Sequence, residues 1–110
     1  MERIVLPKRI VKQLNSFSGK TVADKIDYLT ERTAVSNLRE CNERISRFES
    51  RYGRIFSDFA SAWNRGSIAH TNDYATETDF IEWEASEQEK EHWLAVIRSL
   101  NSPRSSPKAA

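Results

Sequence analysis

Apolar positions recur through the middle of the chain with a helical beat. In AVSNLRECNERISRFESRY, Ala34, Leu38, Cys41, Ile45, Phe48 and Tyr52 fall at alternating steps of four and three, and nearly everything between them is charged or polar. Side chains three and four apart share one face of an α-helix, so the spacing predicts an amphipathic helix with a single apolar stripe. Neither Gly nor Pro occurs from Thr21 through Tyr52, so nothing in that stretch forbids a long helix. Glu40 with Arg44 and Glu43 with Arg47 are i,i+4 pairs in the favourable order, each contributing about 0.3 kcal/mol. The stripe has two readings. As a heptad seam it places Leu38, Ile45 and Tyr52 at a, and Ala34, Cys41 and Phe48 at d. Two copies would then pair through it, with Arg44 at g and Glu49 at e attracting across a parallel interface. As a core-facing stripe it packs within one small domain. The two helical periods diverge by only about 20° per heptad, so a stretch this short fits either, and an intertwined dimer satisfies both.

The opening third has a readable grammar. Arg3 to Leu6 is a short β-prone run that stops at Pro7. Pro7 suits the first turn of a helix carrying Ile10, Leu14 and Phe17, and Gly19 is placed as its C′ residue. Thr21 with Asp24 has capping-box spacing, ahead of a helix lined by Val22, Ile26 and Leu29. Strand, Pro, helix, Gly, helix in residues 1–33 resembles a ribbon-helix-helix unit, the small DNA-binding fold of many antitoxins. That resemblance implies a dimer whose paired strands enter the major groove. Only Glu2 and Arg3 are available to read bases, while Lys8, Arg9 and Lys12 fit either phosphate contacts or a solvated helix face.

Beyond Tyr52, Gly53 predicts a terminator or kink. Phe56, Phe59, Ala60 and Trp63 then mark a short helix folding back and closed by Gly66, with HTND (70–73) as a loop. From Thr76 or Thr78 the pattern turns helical again through Phe80, Trp83, Trp93, Leu94, Ile97 and Leu100. SEQEKE (86–91) is wholly polar, so the helix there is exposed or bent, and NSPRSSPKAA predicts a disordered tail over 101–110. The fold class expected is mainly α: a short N-terminal strand or extended segment, then four to five helices. The helical region occupies 34–100.

Net charge is +1, but it is unevenly spread. Residues 1–65 hold 13 Lys/Arg against 8 Asp/Glu, while residues 73–91 hold 8 acids against Lys90 alone. A basic front and an acidic back suit two different partners. Hydrophobic content of 38% allows only a shallow core, which three Trp, three Tyr and five Phe must largely fill. The single Cys41 excludes a disulfide framework. Without a signal-peptide pattern or an apolar run of membrane length, a cytoplasmic protein without membrane contact is expected.

Candidate chemistry is sparse. One Cys and two His make no metal-ligand spacing, no nucleophile motif occurs, and the glycines at 19, 53 and 66 form no phosphate loop. No metal or cofactor is expected. Arg65 and His70 match the R-x4-H spacing of a family of small all-helical ribonucleases, though Gly66 and the loop-like GSIAHTND take that spacing off a helix. The informative segment is TNDYATETDFIEWEAS (71–86), where acids and large aromatics alternate. It is either a solvated acidic face backed by Phe80 and Trp83 in a core, or a docking surface for a basic partner.

LRECNERISRFESRYGRIFSDFASAWNRG followed by DYATETDFIEWEA resembles a group of small prokaryotic antitoxins encoded beside a small toxin. The residues that carry the resemblance are Leu38, Arg39, Phe48, Glu49, Tyr52, Gly53, Phe56, Phe59, Gly66, Tyr74, Asp79, Glu82, Trp83 and Glu84. It implies a non-enzymatic antitoxin of a type II module; together with the acidic 73–91 segment, this leads to the expectation that the chain binds a cognate toxin, of the RNase type, and masks its basic site. Trp63, Tyr74, Asp79, Phe80, Glu82, Trp83 and Glu84 are the toxin-binding candidates. Leu38, Cys41, Ile45, Phe48 and Tyr52 are the seam of an expected homodimer. The alternative is a small DNA-binding repressor, autoregulating its operon, that holds operator DNA through Arg3, Lys8, Arg9 and Lys12. A helical ribonuclease is the third reading.

Overall fold

The stripe from Ala34 to Tyr52 lies inside one uninterrupted helix. The computed structural model describes residues 5–69 and 71–102. Within them the chain runs α1 (Lys8–Leu14), α2 (Val22–Tyr52), α3 (Phe56–Asn64) and α4 (Tyr74–Asn101). α2 has 31 residues and α4 has 28, so they are about 46 and 42 Å long. They lie antiparallel as a hairpin: Tyr52 meets Asp79, Phe48 meets Trp83, and Arg44 meets Ser86 and Glu89. Each step forward along α2 is a step back along α4. α3 packs across the closed end of the hairpin, and α1 packs on α2 with Leu14 buried.

The long helix begins where the capping box ends the irregular chain. The Asp24 backbone N–H donates to the Thr21 hydroxyl at 3.0 Å, and the Thr21 N–H donates back to the Asp24 carboxylate at 3.4 Å. Gly19 does not close α1, which ends at Leu14. It instead admits this cap: its φ is +125°, and a Cβ there would lie 2.7 Å from the Asp24 Cβ. At the other end Gly53 takes the left-handed conformation at φ +66° and returns its N–H to the Glu49 carbonyl at 2.7 Å. This is a cap that Cβ-bearing residues adopt only with strain.

Three expectations change. No strand occurs among the described residues: Val5 and Leu6 are irregular, and Arg3 and Ile4 lie outside the described segment. α2 passes through positions 33 and 34 without a break, so the N-terminal unit and the seam helix share one rod. α4 starts at Tyr74, earlier than its apolar pattern suggested, because the Asp73 side chain caps it by accepting the Ala75 N–H at 3.2 Å. The expected 101–110 tail lies outside the described residues past Ser102.

The core is aromatic and sits at the closed end. Ile45, Phe48, Phe59 and Trp83 are its buried centre, with Tyr52, Phe56, Trp63, Ile68 and Phe80 around them. Trp83 is 0% exposed, with ring centroids of Phe59 at 5.0 Å, Phe56 at 5.4 Å, Phe48 at 5.5 Å and Tyr52 at 5.8 Å. Such ring pairs add stabilisation beyond their buried area. Farther along the hairpin the contacts become small and polar. Ala34, Cys41 and Ser86 are buried there, and their small side chains let the two helices approach.

Candidate functional site

Tyr52, Arg51 and Asp79 join α2 to the first turns of α4. The Tyr52 hydroxyl donates to the Asp79 carboxylate at 2.6 Å, and Arg51 pairs with the same oxygen at 2.5 Å. Burial pushes the Asp79 carboxyl up. The hydrogen bonds from Tyr52 and Arg51, and the Arg51 charge, outweigh that and hold it below its ordinary 3.8. Burial first, then Asp79, raises the Tyr52 phenol above its ordinary 10.0. The signs give a pH profile. Asp79 has a lower folded than unfolded pKa, so its contribution is full above 3.8 and fades as pH falls below it. Tyr52 has a higher folded pKa, so its contribution is full below 10.0 and fades as pH rises past it. Asp79→Asn is therefore expected to cost about 1–2 kcal/mol at neutral pH and to flatten the acid limb of the stability curve. Chemical denaturation from pH 2.5 to 7 measures both effects.

A second polar junction lies mid-hairpin, in the stretch expected to be exposed or bent. Arg44 Nε donates to the buried Ser86 hydroxyl at 3.0 Å, while Nη2 reaches Glu89 at 3.0 Å and Cys41 Sγ at 3.3 Å. Arg44 thus serves the hairpin of its own chain. α4 runs straight through SEQEKE because Ser86 and Glu89 are held by α2. Burial, then the nearby Glu89 charge, pushes the Cys41 thiol up against the opposing pull of Arg44, so its thiolate is disfavoured.

The toxin-binding candidates divide sharply by helical phase. Trp83 is buried, Phe80 packs at 4.7 Å from Trp63 and 5.6 Å from Phe56, and Asp79 is held by Arg51 and Tyr52. The structure gives Trp83, Phe80, Trp63 and Asp79 to the interior and its margin. Glu82 and Glu84 are exposed, and Tyr74 is 82% exposed. Ile81, which the composition reading passed over, is 64% exposed. Tyr74, Thr78, Ile81 and Ala85 follow steps of four, three and four, which puts them on the side of α4 away from Trp83. Glu77, Glu84 and Glu91 recur every seven residues along one margin of that face, and Glu82 and Glu89 along the other. The result is an apolar centre between two acidic rows. The missed signal was the phase: once Trp83 points inward, Tyr74 and Ile81 point outward.

The seam residues also find partners within the chain. Cys41, Ile45 and Phe48 are buried, and Leu38 and Tyr52 are half-buried; α4 and α3 cover most of this stripe. The core-facing reading of the stripe describes this arrangement. Lys8, Arg9 and Lys12 are exposed on α1, while Arg3 lies outside the described residues. Arg65 is the C-cap residue of α3, and His70 of the expected Arg/His spacing lies outside the described residues. No cluster of His, Cys, Asp or Glu fit to hold a metal ion occurs among the described residues, and no described helix is long and apolar enough to cross a membrane. No protein-family model matches the chain, and neither a curated protein nor a solved structure matches it significantly.

Proposed function

We propose that this protein is a non-enzymatic binding protein of the antitoxin type, which neutralises a cognate toxin by covering a basic surface with the outer face of α4. The observation that carries this reading is the acid-rimmed apolar row. A single exposed apolar residue needs no explanation. Here Tyr74 and Ile81 share one face, and exposed Glu77, Glu82 and Glu84 flank it. Aromatic and large apolar side chains supply binding energy when a partner excludes water from them, and carboxylates around them speed encounter with a positive cleft. A site that holds RNA phosphates in an RNase-type toxin has the complementary charge.

Masking in this form assigns different tasks to neighbouring residues. Tyr74 and Ile81 bury against the toxin, and Glu82 and Glu84 pair with its basic groups. Phe80, Trp83 and Asp79 keep α4 straight and correctly rotated. Reversing both glutamates, Glu82→Lys with Glu84→Lys, is expected to weaken binding of the adjacent gene's product by about tenfold or more and to make it less salt-sensitive. Titration at several ionic strengths measures this. Unchanged affinity with an unchanged salt slope would contradict the reading.

A further inference from the structure

The outer side of α2 carries an open groove of about 610 Å³ whose lining includes Val35, Leu38, Arg39 and Asn42. Every lining residue belongs to α2, so no other described element fills it. A smaller depression beside Tyr28, Arg32 and Val35 continues it toward the start of the helix. Arg39 is exposed on its edge without an ion-pair partner among the described residues, and so is Glu91 on α4.

We infer that a second copy of this chain occupies the groove, in a two-fold dimer in which α2 of each copy faces α4 of the other. The register follows from the hairpin itself. A two-fold axis parallel to the helices keeps every residue at its own height, so levels within one chain hold across the pair. Arg44 is level with Ser86. Counting forward on one helix and back on the other puts Asn42 level with Gln88, Arg39 with Glu91, and Val35 with Ala95. The contacts are thus amide to amide, cation to carboxylate, and valine to alanine, and each occurs twice by symmetry. Ala95 is small enough for the second α4 to approach the groove beside Val35 and Leu38. The interface borrows Glu91 from the acidic margin of the outer face but uses none of Tyr74, Ile81, Glu82 and Glu84, so a failure of dimerisation and a failure of toxin binding are separately visible.

Complementary charge swaps test this arrangement. The full-length protein is expected to sediment as a dimer, and Arg39→Glu or Glu91→Arg alone should weaken self-association by more than about tenfold, since each places like charges together twice. Mixing the two variants gives opposite charges at both contacts and leaves like charges at none, because the two introduced residues meet at one contact and the two natural residues at the other. The mixture should therefore form a heterodimer where neither variant pairs with itself. Recovery on mixing also shows that both variants are folded. A wild-type monomer at all concentrations, a dimer unaffected by either variant, or a mixture that stays monomeric would each overturn the inference.

Discussion

Replacing Trp83 by Ala is expected to cost about 3–5 kcal/mol, which is comparable to the whole stability of many small domains. Four aromatic rings lie with centroids within 5.8 Å of the Trp83 ring, and none of them can collapse into the space without dragging its own helix. Phe48 and Tyr52 are on α2, Phe56 and Phe59 on α3, so the loss loosens both contacts that hold α4 at once. The indole also carries a cost of its own: Nε1 is buried without a hydrogen-bond partner. An unpaired buried donor costs about 1–3 kcal/mol, so Trp83→Phe removes a penalty together with part of the packing. That variant is expected to lose less than about 1.5 kcal/mol. Thermal and chemical denaturation separate the two substitutions. The Cys41 thiol, buried in the native state, gives a second readout, because opening of the hairpin exposes it to thiol reagents. A Trp83→Ala variant as stable as the parent would mean that α4 is not docked through this residue.

The second large effect is on binding and leaves the fold alone. If the outer face of α4 covers a toxin as proposed, Ile81→Arg is expected to weaken that association by about 30-fold or more, the scale of a central hot-spot residue, because it sets a charge in the apolar row and repels a basic site. Its effect on stability should stay within about 0.5 kcal/mol, since Ile81 is 64% exposed and contributes little to the core. Ile81 and Trp83 are two residues apart on one helix, yet they are expected to fail in opposite ways, one in binding and one in folding. Equal losses of stability in both variants would show that the face containing Ile81 is packed and not free.

Particular residues show which parts of this architecture can be read without coordinates. The α2 stripe, the Thr21–Asp24 cap, the Gly53 terminator and the short α3 all follow from local rules, since each is set by residues within a few positions of one another. Arg44 is different. Sequence spacing offers it Glu40, but it reaches Ser86 and Glu89 because the hairpin brings α4 alongside, a relation no local rule contains. The apolar stripe likewise specifies that something must cover it, while only the fold says that α4 of the same chain does. The candidate site was half legible. Its acidity and aromatic content stand in the composition, but residue type alone leaves Phe80 and Trp83 open between core and docking surface and does not single out Ile81. Asp73 as a cap sets where α4 begins, and that starting point determines which side chains face water.

The most direct measurement is co-expression of this protein with the product of the adjacent gene, scored by growth and by co-purification, with the parent chain and Ile81→Arg side by side. The expected result is that the neighbour alone arrests growth, the parent chain rescues it in a stable complex, and Ile81→Arg folds normally but neither rescues nor co-purifies. A neighbour that neither affects growth nor binds the parent chain, or an Ile81→Arg variant that rescues as well as the parent, would contradict the assignment of the outer face of α4 to a toxin.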